Sequence, residues 1–163
     1  MKQLFLIRHA KSSWDHPDLD DYQRPLNKRG NKDAPEMAKR LKKAGIFPEL
    51  IISSPALRAF TTAKIFSAVL DYSEYDIVLK DQLYEAGIRD IEEVVKSISD
   101  EYSKVFIVGH NPGLTLFNNE ICDLKLENIP TCGISAVYFN LTEWRKVSAE
   151  AGRSLFYDYP KRI

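Results

Sequence analysis

Cysteine is scarce in this chain: Cys122 and Cys132 are the only two, and they form no C-x-x-C pair. That excludes a disulfide framework and points to buried thiols in a reducing compartment, the cytoplasm. Neither sign of charge is in excess, because 23 Lys and Arg offset 23 Asp and Glu. A general nucleic-acid binder carries a basic surplus, so nucleic acid is not an expected partner, although a local basic pocket is still open. No apolar run approaches the length that spans a bilayer, and the short one near the start reads as a strand, not a signal peptide. A membrane is therefore not an expected partner. Three histidines and two cysteines lie at spacings unlike those of zinc ligands, so no metal is expected. No repeat, low-complexity tract or linker divides the 163 residues, which suffice for one core. A single domain spanning 1–163 is the simplest reading.

What is present is a set of short apolar runs that end in charge. Leu4-Phe5-Leu6-Ile7 reads as a strand buried on both faces, central in a parallel sheet, and it runs straight into Arg8 and His9. Lys11 to Pro25 is polar, holds two prolines and has no period, so it reads as a long surface loop. Asn27 is a candidate helix cap, with Ala34, Met37, Ala38, Leu41 and Ala44 as an apolar stripe and Gly45 as the stop. Pro35 implies either a kink or a regular helix that starts there. Glu49 to Ser53 is a second strand. Ser54-Pro55 then predicts a cap with proline in the first turn, and a helix with Ala59, Ala63, Phe66 and Leu70 on one face.

A short third strand lies around Ile77-Val78-Leu79. Asp90 and Glu93 resemble a capping box opening a helix with Ile91, Val94, Val95 and Ile98 inward. Lys104 to Gly109 is the fourth strand, followed by His110-Asn111-Pro112 and a helix with Leu114, Phe117 and Ile121 on the core. Ile134 to Leu141 and Trp144 to Ala149 then read as an antiparallel hairpin at a sheet edge. The last residues, ending Lys161-Arg162-Ile163, either dock through Leu155, Phe156 and Tyr157 or are mobile. Alternation of strand and helix implies a three-layer α/β/α fold with a mostly parallel sheet and an antiparallel C-terminal edge.

Arg8-His9 and His110 both follow core strands, at the carboxyl edge where open α/β sheets bind ligands. A basic pair is costly to bury without an anion, so a phosphate is expected there. Two histidines and two or three arginines around one pocket suit phosphoryl transfer. One imidazole attacks phosphorus and carries it covalently, while guanidiniums hold the oxygens through forked bonds of roughly 1.5–3 kcal/mol each. The positive field also keeps the nucleophile neutral.

These residues resemble the motifs of a known family. Leu6-Ile7-Arg8-His9, Ser53-Ser54-Pro55-Ala56-Leu57-Arg58-Ala59 and Val108-Gly109-His110-Asn111 are similar to three signatures of the histidine phosphatase superfamily, the phosphoglycerate-mutase-like proteins. Arg24-Pro25-Leu26-Asn27-Lys28-Arg29-Gly30 resembles the SixA branch of phosphohistidine phosphatases. The resemblance implies a metal-independent enzyme without a cofactor, with His9 as nucleophile and Arg8, Arg58 and His110 completing the phosphate pocket. It also implies Arg24 at the pocket's rim. Asn111 would orient His110 or supply a backbone donor, and Trp14, a large aromatic on a polar loop, would wall the substrate groove. Ala10 stands where most of the superfamily has glycine, and Thr61 where it has glutamine. Ester-cleaving members use a carboxylic acid, for which Glu85 is the candidate; SixA-type proteins can lack it, and then Glu85 is structural. The substrate is a phosphohistidine in a partner protein, or a small phosphorylated molecule. A phosphoglycerate mutase and a catalytically silent phosphate-binding domain are the weaker readings.

Overall fold

The computed structural model describes residues 1–162. The first apolar run forms β1 (Lys2–Arg8), which lies in the middle of a six-stranded sheet. It is followed by α1 (Lys28–Lys43), β2 (Leu50–Ser53), α2 (Leu57–Val69), β3 (Val78–Leu79) and α3 (Ile88–Lys96). Then come β4 (Lys104–Gly109), α4 (Gly113–Ile121), β5 (Ile134–Phe139) and β6 (Arg153–Asp158). The strand order is β3-β2-β4-β1-β5-β6. β1 to β4 are mutually parallel, and β5 and β6 extend the sheet antiparallel, which is the three-layer architecture expected.

Side chains alternate across a strand, so β1 feeds two cores. Leu4 and Leu6 join Val105, Ile107 and the inner faces of α3 and α4. Phe5 and Ile7 join Phe106, Val108 and the inner faces of α1 and α2. This division of helices follows from right-handed crossovers. The chain travels outward from β1 to β3 over one face and returns to β4 over the other. β1 and β4 are therefore adjacent strands whose connections depart in opposite directions, with Arg8 paired beside Gly109. Such a switch point leaves a crevice beyond the carboxyl ends of the two strands.

Local chemistry accounts for the helix ends. The Asn27 side chain accepts from Gly30 N at 2.8 Å, and α1 runs without interruption through Pro35. It closes on Gly45 at φ 74, with Ile46 N donating to Leu41 O and Gly45 N to Lys42 O. Three boundaries differ from expectation. α2 begins two residues later than Ser54-Pro55 suggests, with Ala56 as its cap, because Ser54 is fully buried and its hydroxyl faces His110. Asp90 does not open α3 but sits in its first turn and accepts from Gly87 N at 2.9 Å. Trp144 to Ala149 is not the second arm of the hairpin. Trp144 starts a single 3-10 turn and is buried in the core, where Nε1 donates to Tyr102 O at 2.7 Å. The edge strand is instead β6, which contains Leu155, Phe156 and Tyr157. Its predecessor has the apolar pattern of a strand but spends its apolar side chains on the core.

Candidate active site

His9 and His110 follow the adjacent ends of β1 and β4, with ring centroids 5.1 Å apart and planes tilted by 55°. His9 is anchored through its backbone: its N–H donates to Gly109 O at 3.0 Å, and Cys132 N donates to its carbonyl at 3.0 Å. Its ring lies 2.7 Å from Ala10 O through Nδ1. A carbonyl only accepts, so the proton resides on Nδ1 and the lone pair on Nε2. The backbone thus selects the tautomer that a nucleophilic imidazole needs. Ala10 is itself buried, and its N–H donates to Thr62 Oγ1 at 3.0 Å.

Arg8, from β1, and Arg58, from the first turn of α2, both lie near enough to His9 for their charges to disfavour its protonation. Arg8 donates from Nη1 to Ile129 O at 2.9 Å. Arg58, only 6% exposed, donates from Nη1 to Asp21 O at 2.6 Å and from Nη2 to Asp21 Oδ2 at 3.0 Å. In both, the far end of the guanidinium is fixed by a protein oxygen while Nε is left unpaired. Among the described residues, the buried side-chain polar atoms without a partner are Arg8 Nε, Arg58 Nε and His110 Nδ1. Buried polar groups are almost always satisfied. All three of these belong to the residues around His9, which is what a pocket built for the oxygens of an anion requires.

The remaining expected residues fall into distinct places. Arg24 is buried at the rim, but its donors go to Asp21 Oδ1 at 3.1 Å and Ser12 Oγ at 3.0 Å. Trp14 is 73% exposed and stacks on the Arg24 guanidinium at 3.5 Å. Asn111 has its side chain fully occupied: Nδ2 donates to Asn128 Oδ1 and Ile129 O, and Oδ1 accepts from Thr115 N and Oγ1. It therefore holds the carbonyl that holds Arg8. Glu85 is exposed at φ 56 beside Tyr84 and makes no hydrogen bond through its carboxylate among the described residues. Asp21 and Tyr84 escaped the reading of the sequence. Asp21 gathers Arg58, Arg24 and the Tyr84 hydroxyl, which donates at 2.7 Å, while the Tyr84 ring meets His110 edge-on at 5.7 Å.

The electrostatics favour neutral imidazoles. Burial, opposed by the bond to Ala10 and reinforced by the charges of His110, Arg58 and Arg8, lowers His9 to about 3. Burial and the charges of Arg58, Arg8 and Arg24, opposed by Asp21, lower His110 to about 4. Burial pushes the Asp21 carboxyl up, but bonds from Tyr84, Arg58 and Arg24 outweigh it and hold it at about 2. The same contact raises Tyr84 to about 12. Among the described residues no group of three or more His, Cys, Asp or Glu is placed to hold a metal ion, and no helix is long and apolar enough to cross a membrane.

Fold and site together define a three-layer α/β protein with a histidine–arginine pocket at the carboxyl edge of its parallel strands. Residues 4–111 match the histidine phosphatase superfamily (branch 1), and the chain belongs to that family. Membership supports a phosphatase-type hydrolase. An uncharacterized chloroplastic protein of Arabidopsis thaliana is 30% identical over 159 residues, which are 93% of this chain and 72% of that one. An uncharacterized protein of Mycobacterium leprae is 28% identical over 95% of this chain and 100% of its own. Among solved structures, the protein histidine phosphatase SixA complexed with tungstate has a TM-score of 0.83 at 21% identity, over 97% of each chain. At that identity the likeness is one of fold.

Proposed function

We propose that this protein is a metal-independent phosphatase that carries the phosphoryl group on His9 and acts on phosphohistidine in a partner protein. The observation that carries this reading is the trio of buried, unpaired nitrogens, Arg8 Nε, Arg58 Nε and His110 Nδ1, around an imidazole whose Nε2 lone pair is free. In the first step Nε2 of His9 attacks phosphorus, the bond from phosphorus to the leaving nitrogen breaks, and the substrate imidazole, already protonated on its other ring nitrogen, leaves neutral. In the second, a water oxygen attacks phosphorus, the bond to Nε2 breaks, and inorganic phosphate departs with His9 restored. The arginines, fixed at their far ends by Ile129 and Asp21, stabilise charge on the equatorial oxygens without reorganising. Arg24 and Trp14 form the rim against which a protein partner rests. The fold likeness to a protein histidine phosphatase bound to tungstate, an oxyanion, supports the same chemistry here.

Brief incubation with a labelled phosphodonor tests the covalent step. The label is expected to be acid-labile, alkali-stable and absent from His9→Ala; an acid-stable label, or one that survives in the variant, contradicts it. Parallel turnover of a phosphohistidine protein and of common esters then ranks the substrates.

One observation favours an ester substrate as the second reading. Glu85 adjoins Tyr84 at the mouth and is held at φ 56, a conformation uncommon outside glycine. If it protonates a leaving alkoxide, Glu85→Gln slows ester hydrolysis and spares cleavage of a P–N bond, which needs less help from an acid. Equal ester rates before and after the change remove Glu85 from the chemistry.

A further inference from the structure

The His110 ring has two nitrogens in contrasting surroundings. Nε2 lies 2.8 Å from Ser54 Oγ, and Nδ1 is buried without a partner. Ser54 is fully buried at the turn between β2 and α2, and its oxygen already accepts from Ala56 N at 3.2 Å. A neutral imidazole has one N–H, so two arrangements are open. If Nε2 bears the proton, Ser54 Oγ accepts twice and its own hydrogen has no acceptor among the described residues. Nδ1 is then a bare acceptor that repels phosphoryl oxygens. If Ser54 donates to Nε2, the hydroxyl both accepts and donates, and Nδ1 carries a hydrogen able to bind an oxyanion. The second arrangement satisfies every group once an oxyanion is bound.

We propose that Ser54 is a positioning residue that locks His110 as its Nδ1–H tautomer, making the second imidazole a neutral hydrogen-bond donor to the transferred phosphoryl group. This rests on the reading of the pocket as a phosphoryl site. It assigns Ser54 a task separate from helix capping, and it explains why α2 starts only beyond Ala56. The burial and neighbouring cations that lower His110 keep it from gaining a second proton, so the tautomer is the one variable left to set.

The test is long-range 1H–15N correlation of the imidazole nitrogens in uniformly labelled protein near pH 7, without ligand. For His110 the expected pattern is a protonated Nδ1 and a bare Nε2. In Ser54→Ala, whose smaller side chain fits the same space, the protonated population is expected to move toward Nε2. kcat/KM for phosphoramidate is expected to fall about tenfold, the scale of one lost hydrogen bond. A protonated Nε2 in the unaltered protein overturns the assignment, as does an unchanged tautomer in Ser54→Ala. The nitrogen pattern requires no turnover, so it is read separately from covalent labelling of His9.

Discussion

Arg58 enters the pocket with both terminal nitrogens committed to Asp21 and Nε buried and unpaired. Removing it takes away a preorganised donor and leaves the Asp21 carboxylate without its main counter-charge. Arg58→Ala is expected to lower kcat about 10²–10³-fold, the range seen when one transition-state donor is lost; a fall below tenfold would contradict the role. The histidines give a pH signature. Both are held far below the ordinary imidazole value of 6.5, at about 3 for His9 and about 4 for His110. The unfolded chain takes up protons on these rings near 6.5, whereas the folded chain does not until about 4 and about 3. Stability that is fully present above 6.5 is therefore lost as pH falls through that window. An NMR titration is expected to show neither ring protonating above pH 5; a midpoint near 6.5 for His9 would rule out a buried pocket around its ring. The proximity of Arg8, His9, Arg58 and His110 was legible in the sequence because Arg8 ends β1, His9 and His110 follow β1 and β4, and Arg58 stands in the first turn of the helix after β2, all at one edge of the sheet. Asp21 was not, because Asp15, Asp18 and Asp20 share its loop and no local pattern singles out the carboxylate that folds onto Arg58.

The loop after His9 is held by the first turn of α1. Asn27 N donates to Lys11 O at 3.0 Å, Ser12 pairs with Leu26, and Gly30 lies so close that a Cβ there would stand 2.1 Å from Lys11 O. The glycine of the Arg24–Gly30 motif is thus required for close approach of two backbones, since its φ is ordinary for a helix. Gly30→Ala is expected to cost about 1–3 kcal/mol, the range for overpacking, read as a lower urea midpoint with unchanged slope. It is also expected to lower kcat, because the segment that must move begins two residues beyond His9. At this scale the sequence is informative wherever one signal dominates. Asn27 caps α1 and Gly45 ends it because no tertiary demand competes. At Ser54 the hydroxyl is claimed by His110, and at Trp144 the core claims an indole that alternation alone assigns to a strand. Tertiary contacts overrode local propensity at both places.

Across the whole molecule, the parallel neighbours β1 and β4 open the crevice because their connections leave in opposite directions, and the loop from Lys11 to Pro25 folds over one side of it. That loop is anchored at depth by buried Ser12, Ser13 and Arg24, yet presents Trp14 to solvent, stacked on Arg24. A large aromatic side chain left exposed on a rigid base resembles the anchors that dominate protein interfaces, where truncation commonly costs more than about 1 kcal/mol. A small phosphoryl compound that sits at His9 gains little from that surface, whereas a protein bearing phosphohistidine must pass its flanking residues across it. Trp14→Ala is therefore expected to lower kcat/KM several-fold more for a phosphohistidine protein than for phosphoramidate, mainly through KM. Both substrates measured side by side on the two proteins give the ratio directly. A ratio unchanged by the substitution would assign the rim no part in recognition and would shift the balance toward a small phosphorylated substrate, with Glu85 as the next residue to examine.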